Sequence, residues 1–96
     1  MKYFHRTSLA PDRVLALAAE YFNGRMAPSE ESPRRRAYSA PTGKVVISAR
    51  PEGGHYTFVE VTTDQVGESE LDKLAKRFLA IVHGEAEPNH EVRGAY

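Results

Sequence analysis

Four histidines are the side chains in this sequence best suited to metal binding or proton transfer. His5, His55, His83 and His90 form no HxH, HxxxH or HExxH pair, the spacings that place two ligands side by side on one strand or helix. His5 and His55 would approach each other if the first strand paired with the last. The chain has no cysteine, which excludes a thiolate metal site and thiol catalysis. We therefore predict no metal and no cofactor.

One carboxylate, Glu60, falls inside a predicted strand, beside Tyr56 and Phe58. A desolvated carboxyl in such a place can act as a general base, but pairing with Arg36 or Arg50 on the same strand face is the commoner arrangement. The six serines stand in no nucleophile-elbow context. The one Gly-Gly pair precedes no helix that could hold a phosphate. The residues therefore predict a protein that is not an enzyme.

Charge is balanced overall but uneven along the chain. The net charge is zero, with nine basic and four acidic residues in 1–50 and four basic and nine acidic residues in 51–96. A neutral total argues against a dedicated nucleic-acid binder, because such binding depends on phosphate neutralisation. The asymmetry permits charge-complementary self-association, or two halves that lie beside each other in one fold. The run Arg34-Arg35-Arg36 alternates between strand faces and is not one patch.

Ninety-six residues predict one domain, over residues 1–84, followed by a flexible C-terminal tail over 85–96. The N-terminus lacks the apolar segment of a signal peptide. No apolar run reaches the roughly 20 residues that span a bilayer. Together with the absence of cysteine, these features predict a cytoplasmic protein that does not contact a membrane.

Two amphipathic helices are predicted, over residues 11–23 and 70–83. Pro11 suits a first helical position, and Asn23-Gly24 is typical of a helix end. Ser69 and Asp72 resemble a capping box, with Asp in place of the usual Glu. Apolar residues follow helical spacing in both segments. Each helix should therefore bury one stripe against a sheet.

Four strands are predicted, over residues 2–7, 34–40, 44–50 and 55–63, with a loop over 24–33. Pro41-Thr42-Gly43 and Pro51-Glu52-Gly53 each match a three-residue hairpin turn, which would pair Ala40 with Lys44 and Arg50 with Gly54. The predicted fold is α+β in the order β-α-β-β-β-α. It has a four-stranded antiparallel sheet, the first strand beside the last, and two helices packed on one face.

This register sorts the strand residues into two faces. Beneath the helices it places small and β-branched side chains: Ala37, Ser39, Val45, Ile47, Ala49, Thr57, Val59 and Val61. The opposite, open face carries the candidate interface: Arg36, Tyr38, Val46, Arg50, Tyr56, Phe58 and Glu60. Exposed contiguous apolar surface marks contact sites, and interfaces are enriched in aromatic residues and arginine. We therefore predict a homodimer, or a complex with a protein partner, through this face, unless the first strand, the loop or the tail covers it.

The opening segment YFHRTSLAPDRVLALAAEYF, residues 3–22, resembles the entry of START-like domains, the polyketide-cyclase and Bet v 1-like group. There a strand leads through a small-residue-Pro turn into an amphipathic helix. The resemblance implies an antiparallel sheet closed by a C-terminal helix, here 70–83, and a small apolar ligand held between them. Those domains are longer and have more strands. The resemblance therefore implies a shortened START-like domain, closer to the TATA-binding-protein-like arrangement.

A third reading is nucleic-acid binding. The predicted order over residues 11–83 resembles that of double-stranded-RNA-binding domains. That family has a basic cluster where this chain has Glu68, Glu70 and Asp72, which argues against the assignment. A single-stranded nucleic acid could instead stack on a platform of open-face side chains. The candidates for that platform are Arg36, Tyr38, Arg50 and Tyr56.

Overall fold

The computed structural model describes residues 1–66 and 69–87, which form a five-stranded antiparallel sheet and two helices. The elements are β1 Lys2–Thr7, α1 Pro11–Phe22, β2 Ala27–Ser32, β3 Arg35–Ala40, β4 Gly43–Glu52, β5 Tyr56–Thr63 and α2 Glu70–Ala86. The strand order is β1-β5-β4-β3-β2. The predicted α+β class, antiparallel sheet and pairing of the first strand with the last are confirmed. The predicted number of strands and the order of elements are wrong.

Both helices pack on one face of the sheet, which we call the inner face; the other is the open face. α1 contacts β3 and β4, whereas α2 contacts β1, β4 and β5. Three aromatic rings join the helices to the sheet, because Phe22 lies 5.3 Å from Tyr38 and 5.5 Å from Phe78 between ring centroids. All three side chains are buried. Such burial is worth ~1.5–3 kcal/mol for each large apolar side chain.

The extra strand, β2, lies where a loop was predicted. It pairs with β3 from Ala27 opposite Ser39 to Ser32 opposite Arg35, with a bulge between Pro28 and Glu30. Nearly all of its side chains are exposed, so the sequence shows no alternation of apolar and polar residues there. Proline, glutamate and a bulge are features of edge strands, where they discourage pairing with another chain. The sequence pattern of these residues predicts a loop because the polar residues and proline that protect a sheet edge are also typical of loops.

The β3–β4 hairpin differs from the predicted register by one residue. Ala40 pairs with Gly43 rather than Lys44, so the turn contains only two residues. A shift of one residue exchanges the faces of a whole strand. Tyr38 and Arg36 therefore lie on the inner face, opposite Val45 and Ile47. The packing of Tyr38 against Phe22 supplies the physical reason, because burying an aromatic ring outweighs a local turn preference.

The β4–β5 hairpin is also offset, but its faces are as predicted. Glu52 pairs with Tyr56, so the turn occupies residues 53–55 and Arg50 faces Phe58 rather than Gly54. The offset is an even number of residues, which leaves every side chain on its predicted face. The alternating run from Val45 to Ala49 is accordingly buried on the inner face.

The C-terminal helix extends beyond its predicted end at His83. α2 ends at Ala86, and Glu87 caps it with a backbone N–H bond to the His83 carbonyl. The first residues of the predicted tail over 85–96 are therefore helical, and residues 88–96 lie outside the described part of the chain. No helix among the described residues is long and apolar enough to cross a membrane.

Gly43 closes the two-residue turn with a φ of +138°, a conformation that favours glycine. A methyl group there would lie 2.5 Å from the Asp64 Oδ1 atom, which accepts a hydrogen bond from the Lys44 N–H. That bond, with one from Gln65, lowers the pKa of Asp64.

We expect Gly43→Ala to lower the free energy of unfolding by about 2 kcal/mol, measured by urea denaturation. Gly24→Ala is the control, since a methyl there meets nothing within 4 Å. Equal stability of the two variants would contradict the prediction.

Candidate interface on the open face

The open face is built mainly from β1, β5 and β4. Alternation along β1 sends Phe4 to this face, opposite Glu60 of β5. Phe4 is 55% exposed and Tyr56 is 56% exposed, and both lie on the face that carries Phe58; exposed apolar side chains grouped on one face mark contact sites. Neither helix covers this side of the sheet, because both pack on the inner face.

Phe58 is the centre of the open face. Arg6 and Arg50 lie directly opposite it on the two neighbouring strands, with their guanidinium carbons 5.1 and 4.7 Å from its ring centroid. Phe4 stacks at 5.3 Å. Phe58 is only 9% exposed, because Phe4, Arg6 and Arg50 of the same face pack against its ring. Each cation–π contact is worth about 0.5–1 kcal/mol at an exposed site, so the two arginines help to hold the ring in place.

Two ion pairs lie beside Phe58 on the open face. Arg6 Nε lies 2.5 Å from Glu52 Oε1, and Lys2 Nζ lies 3.7 Å from Glu60 Oε2. Glu60 therefore pairs with Lys2, and the predicted pairing with Arg36 or Arg50 is wrong. Exposed pairs of this kind contribute only ~0–1 kcal/mol each. At an interface such pairs would mainly orient the two partners, because alternating charges favour one register of the contact over others.

Five of the seven predicted interface residues share the open face, and two do not. The five are Val46, Arg50, Tyr56, Phe58 and Glu60. Arg36 and Tyr38 are on the inner face, for the register reason given above. The four side chains proposed as a nucleic-acid stacking platform therefore do not meet, because Arg50 and Tyr56 lie on the other side of the sheet.

Burial gives Tyr38 the properties of a core residue. Desolvation raises the pKa of its hydroxyl; Arg36 opposes this rise and Glu31 adds to it. Arg36 itself donates to the backbone carbonyls of Ser32 and Arg35. Both side chains are thus engaged inside the fold rather than presented to a partner.

The sequence analysis missed the contribution of β1 to the open face, namely Lys2, Phe4 and Arg6. The signal was present, because the period-2 alternation of KYFHRT and the predicted pairing of the first strand with the last together place these residues beside Phe58. Phe4 is the main addition, since it is the only residue of the three with a large exposed apolar surface.

Among the described residues, packed side chains occupy the place beneath Phe78 and Ile47 that was expected for an apolar ligand. Ile47 and Phe78 are fully buried in one core cluster, and the rings of Phe22 and Tyr21 lie 5.5 and 6.1 Å from that of Phe78. A shallow hollow of about 420 Å³ exists elsewhere, between the α1–β2 connection and the β3–β4 turn. It is open to solvent and does not lie beneath α2, where the START-like resemblance places a ligand.

The histidines are arranged differently from the expected approach of His5 and His55. His5 lies opposite Val59, and its ring is 5.9 Å from that of His83 on α2. Among residues 1–66 and 69–87, no group of three His, Cys, Asp or Glu side chains is placed to hold a metal ion.

No protein-family model, curated protein or solved structure matches this chain. The START-like resemblance stays a prediction. The inference of function therefore depends on the open face.

Proposed function

We propose that this protein is a small non-enzymatic module that self-associates through its open face, with a second copy of the chain as the partner. The observation that carries the proposal is the exposure of Phe4 and Tyr56, at 55% and 56%, around the Phe58 cluster. We expect it to act in the cytoplasm, because a chain without cysteine is suited to a reducing compartment.

The dimensions of the open face suit a dimer. Five strands of six to ten residues, spaced ~4.8 Å apart and rising ~3.4 Å per residue, span roughly 24 by 20–34 Å. The accessible surface is larger than this projected area because side chains protrude from the sheet. The contact area is therefore close to the ~800 Å² per partner of a standard interface. Two sheets packed face to face about 10 Å apart would form a sandwich, with the Phe4 and Tyr56 rings of both copies inside.

The charges of the face favour a second copy over a strongly charged partner. Basic and acidic side chains alternate in pairs, Arg6 with Glu52, Lys2 with Glu60 and Arg35 with Glu30. A surface that carries both signs in this way can complement itself in a two-fold arrangement. The zero net charge adds no long-range repulsion between copies.

Replacing Phe4 and Tyr56 together by serine should give a folded monomer. The wild-type chain, of 10.7 kDa, should sediment as a dimer of twice that mass at micromolar concentration. Loss of two aromatic hot spots from each copy should raise the dissociation constant by on the order of a thousandfold. Sedimentation equilibrium measures the mass, and circular dichroism checks the fold.

The matched control is Val66→Ser with Ile81→Ser, because these exposed apolar side chains lie in the β5–α2 connection and on α2, and α2 packs on the inner face. This pair should leave the dimer intact. A wild-type chain that remains monomeric at about 100 μM would have a dissociation constant above that of most specific dimers. That result would refute self-association. An unchanged mass of the Phe4 and Tyr56 double variant would exclude this face.

A further inference from the structure

His5 and His83 meet on the opposite side of the sheet from the proposed interface. His5 is on the inner face of β1, and His83 is in the last turn of α2. Their rings contact edge to face, 5.9 Å apart with an interplanar angle of 78°. Both side chains are half-buried. The pair thus forms part of the contact that holds the C-terminal end of α2 on β1.

The charged groups near this contact come from both helices. On α2, Lys76 lies over the ring of Tyr3, the β1 neighbour of His5, with its Nζ 5.6 Å from the ring centroid. Glu87 caps the helix and supplies a negative charge that acts on His5. From α1, Arg13 holds Glu85, with Nη2 2.7 Å from Oε1. The residue opposite His5 on β5 is the uncharged Val59.

The site disfavours a proton on His5. Burial and then the neighbouring His83 lower the pKa of His5 below 6.5, while Glu87 raises it by a smaller amount. The unfolded chain binds this proton near pH 6.5, whereas the folded chain binds it only in more acidic solution. The unfolded state therefore holds more protons in that window. The stabilisation is complete above pH 6.5 and is lost as the pH falls through the folded pKa.

We propose that His5 and His83 form a proton-responsive contact, which loosens the last turns of α2 from β1 in mildly acidic solution. An imidazolium on either ring faces the other ring across a partly desolvated gap, and a second proton adds repulsion. The Arg13–Glu85 pair holds the same end of the helix, so loosening begins where His83 contacts His5 of β1. Acid thus uncovers apolar surface at Val82 and Tyr3, on the side of the molecule away from the open face.

Proton NMR titration of the histidine rings tests the contact. In the wild-type chain, His5 should titrate below pH 6.5, and in the His83→Gln variant its midpoint should move up toward 6.5. His55→Gln is the matched control, because His55 lies in the exposed β4–β5 turn. It should leave the His5 midpoint unchanged. A merely structural role of His83 would not move that midpoint.

Amide hydrogen exchange tests the loosening. After correction for intrinsic rates, the protection of residues 80–86 should fall by up to about tenfold per pH unit below 6.5, the limit for one linked proton. Protection of α1 should change much less. The effect should be absent in His5→Gln and reduced in His83→Gln. A His5 midpoint at or above 6.5, or the same loss of protection in both variants as in the wild type, would overturn the proposal.

Discussion

Replacing Tyr38 by alanine should lower the free energy of unfolding by about 3–5 kcal/mol, the usual cost of removing a large aromatic side chain from a core. The ring is 1% exposed and stacks on Phe22 at a centroid distance of 5.3 Å. A domain of this size is stable by only ~5–10 kcal/mol. The variant should therefore lose a large part of its stability, which urea denaturation followed by circular dichroism would measure.

Two control variants distinguish the contributions of the position and of the hydroxyl group of Tyr38 to the free energy of unfolding. Tyr56→Ala removes the same side chain from the open face, where 56% of it is exposed, and should cost no more than about 1 kcal/mol. Tyr38→Phe should be neutral or stabilising, because the buried hydroxyl has no hydrogen-bond partner among the described residues, and an unsatisfied buried hydroxyl is costly. Measurements at submicromolar concentration keep dimerisation from contributing.

The comparison decides between two registers. If Tyr38 lay on the open face, as the turn pattern predicts, Tyr38→Ala and Tyr56→Ala would cost similar amounts. A difference of about 2 kcal/mol or more supports the inner-face position, since a solvent-exposed site has no cavity term. Near-equal costs would contradict the two-residue turn between Ala40 and Gly43.

Thr63→Val should cost about 2–3 kcal/mol, the second large effect expected in this fold. The Asp72 side chain is 0% exposed, and its Oδ1 accepts a 2.7 Å hydrogen bond from the Thr63 hydroxyl. Its Oδ2 has no hydrogen-bond partner in the described part of the chain. Valine keeps the shape of threonine but removes the donor, and a buried polar group left without a hydrogen-bond partner carries a penalty of this order.

This contact also corrects the predicted capping box. Ser69 caps α2 as expected, with its hydroxyl accepting from the Asp72 N–H at 3.1 Å. The Asp72 carboxylate turns to Thr63 of β5 instead of completing the box. It stays near the first turn of α2, where negative charge is favourable. The cap thus ties the start of α2 to the end of the sheet.

A double-mutant cycle isolates the Thr63–Asp72 interaction. Thr62→Val, the neighbouring residue on the open face, should change stability by less than about 0.5 kcal/mol. The losses from Thr63→Val and Asp72→Asn should not add in the double variant, because the two residues share one bond. Additive losses, or a Thr63→Val variant as stable as Thr62→Val, would show that the hydroxyl does not support the carboxylate. Thermal and urea denaturation supply the four free energies.

The features that follow local periodicity were predictable from the sequence. The stripe of α1, the start of α2 at Ser69 and the inner-face alternation of Val45, Ile47 and Ala49 each depend on residues within a few positions of one another. The faces of β4 and β5 survived an error in the turn because the offset was even. The pairing of β1 with β5 also agrees with the prediction.

The candidate site was only partly predictable. Val46, Arg50, Tyr56, Phe58 and Glu60 share the open face as the hairpin pattern indicates. Two contributions depended on distant contacts. One is the cover that Arg6 of β1 gives to Phe58, and the other is the identity of the cation that pairs with Glu60. Such contacts join residues more than fifty positions apart, so no local pattern marks them.

Alternation along the sequence by itself determined which residues of a strand share a face, and the tertiary structure decided which face the helices cover. For β4 and β5 the apolar pattern was strong enough to answer both questions. For β3 the run from Arg35 to Ala40 is mixed, and a one-residue change in the turn reverses it. The ring of Phe22, on α1, decided the outcome by burying Tyr38. Burying an aromatic side chain in this way is worth ~1.5–3 kcal/mol, and the two-residue turn between Ala40 and Gly43 is the one that permits it.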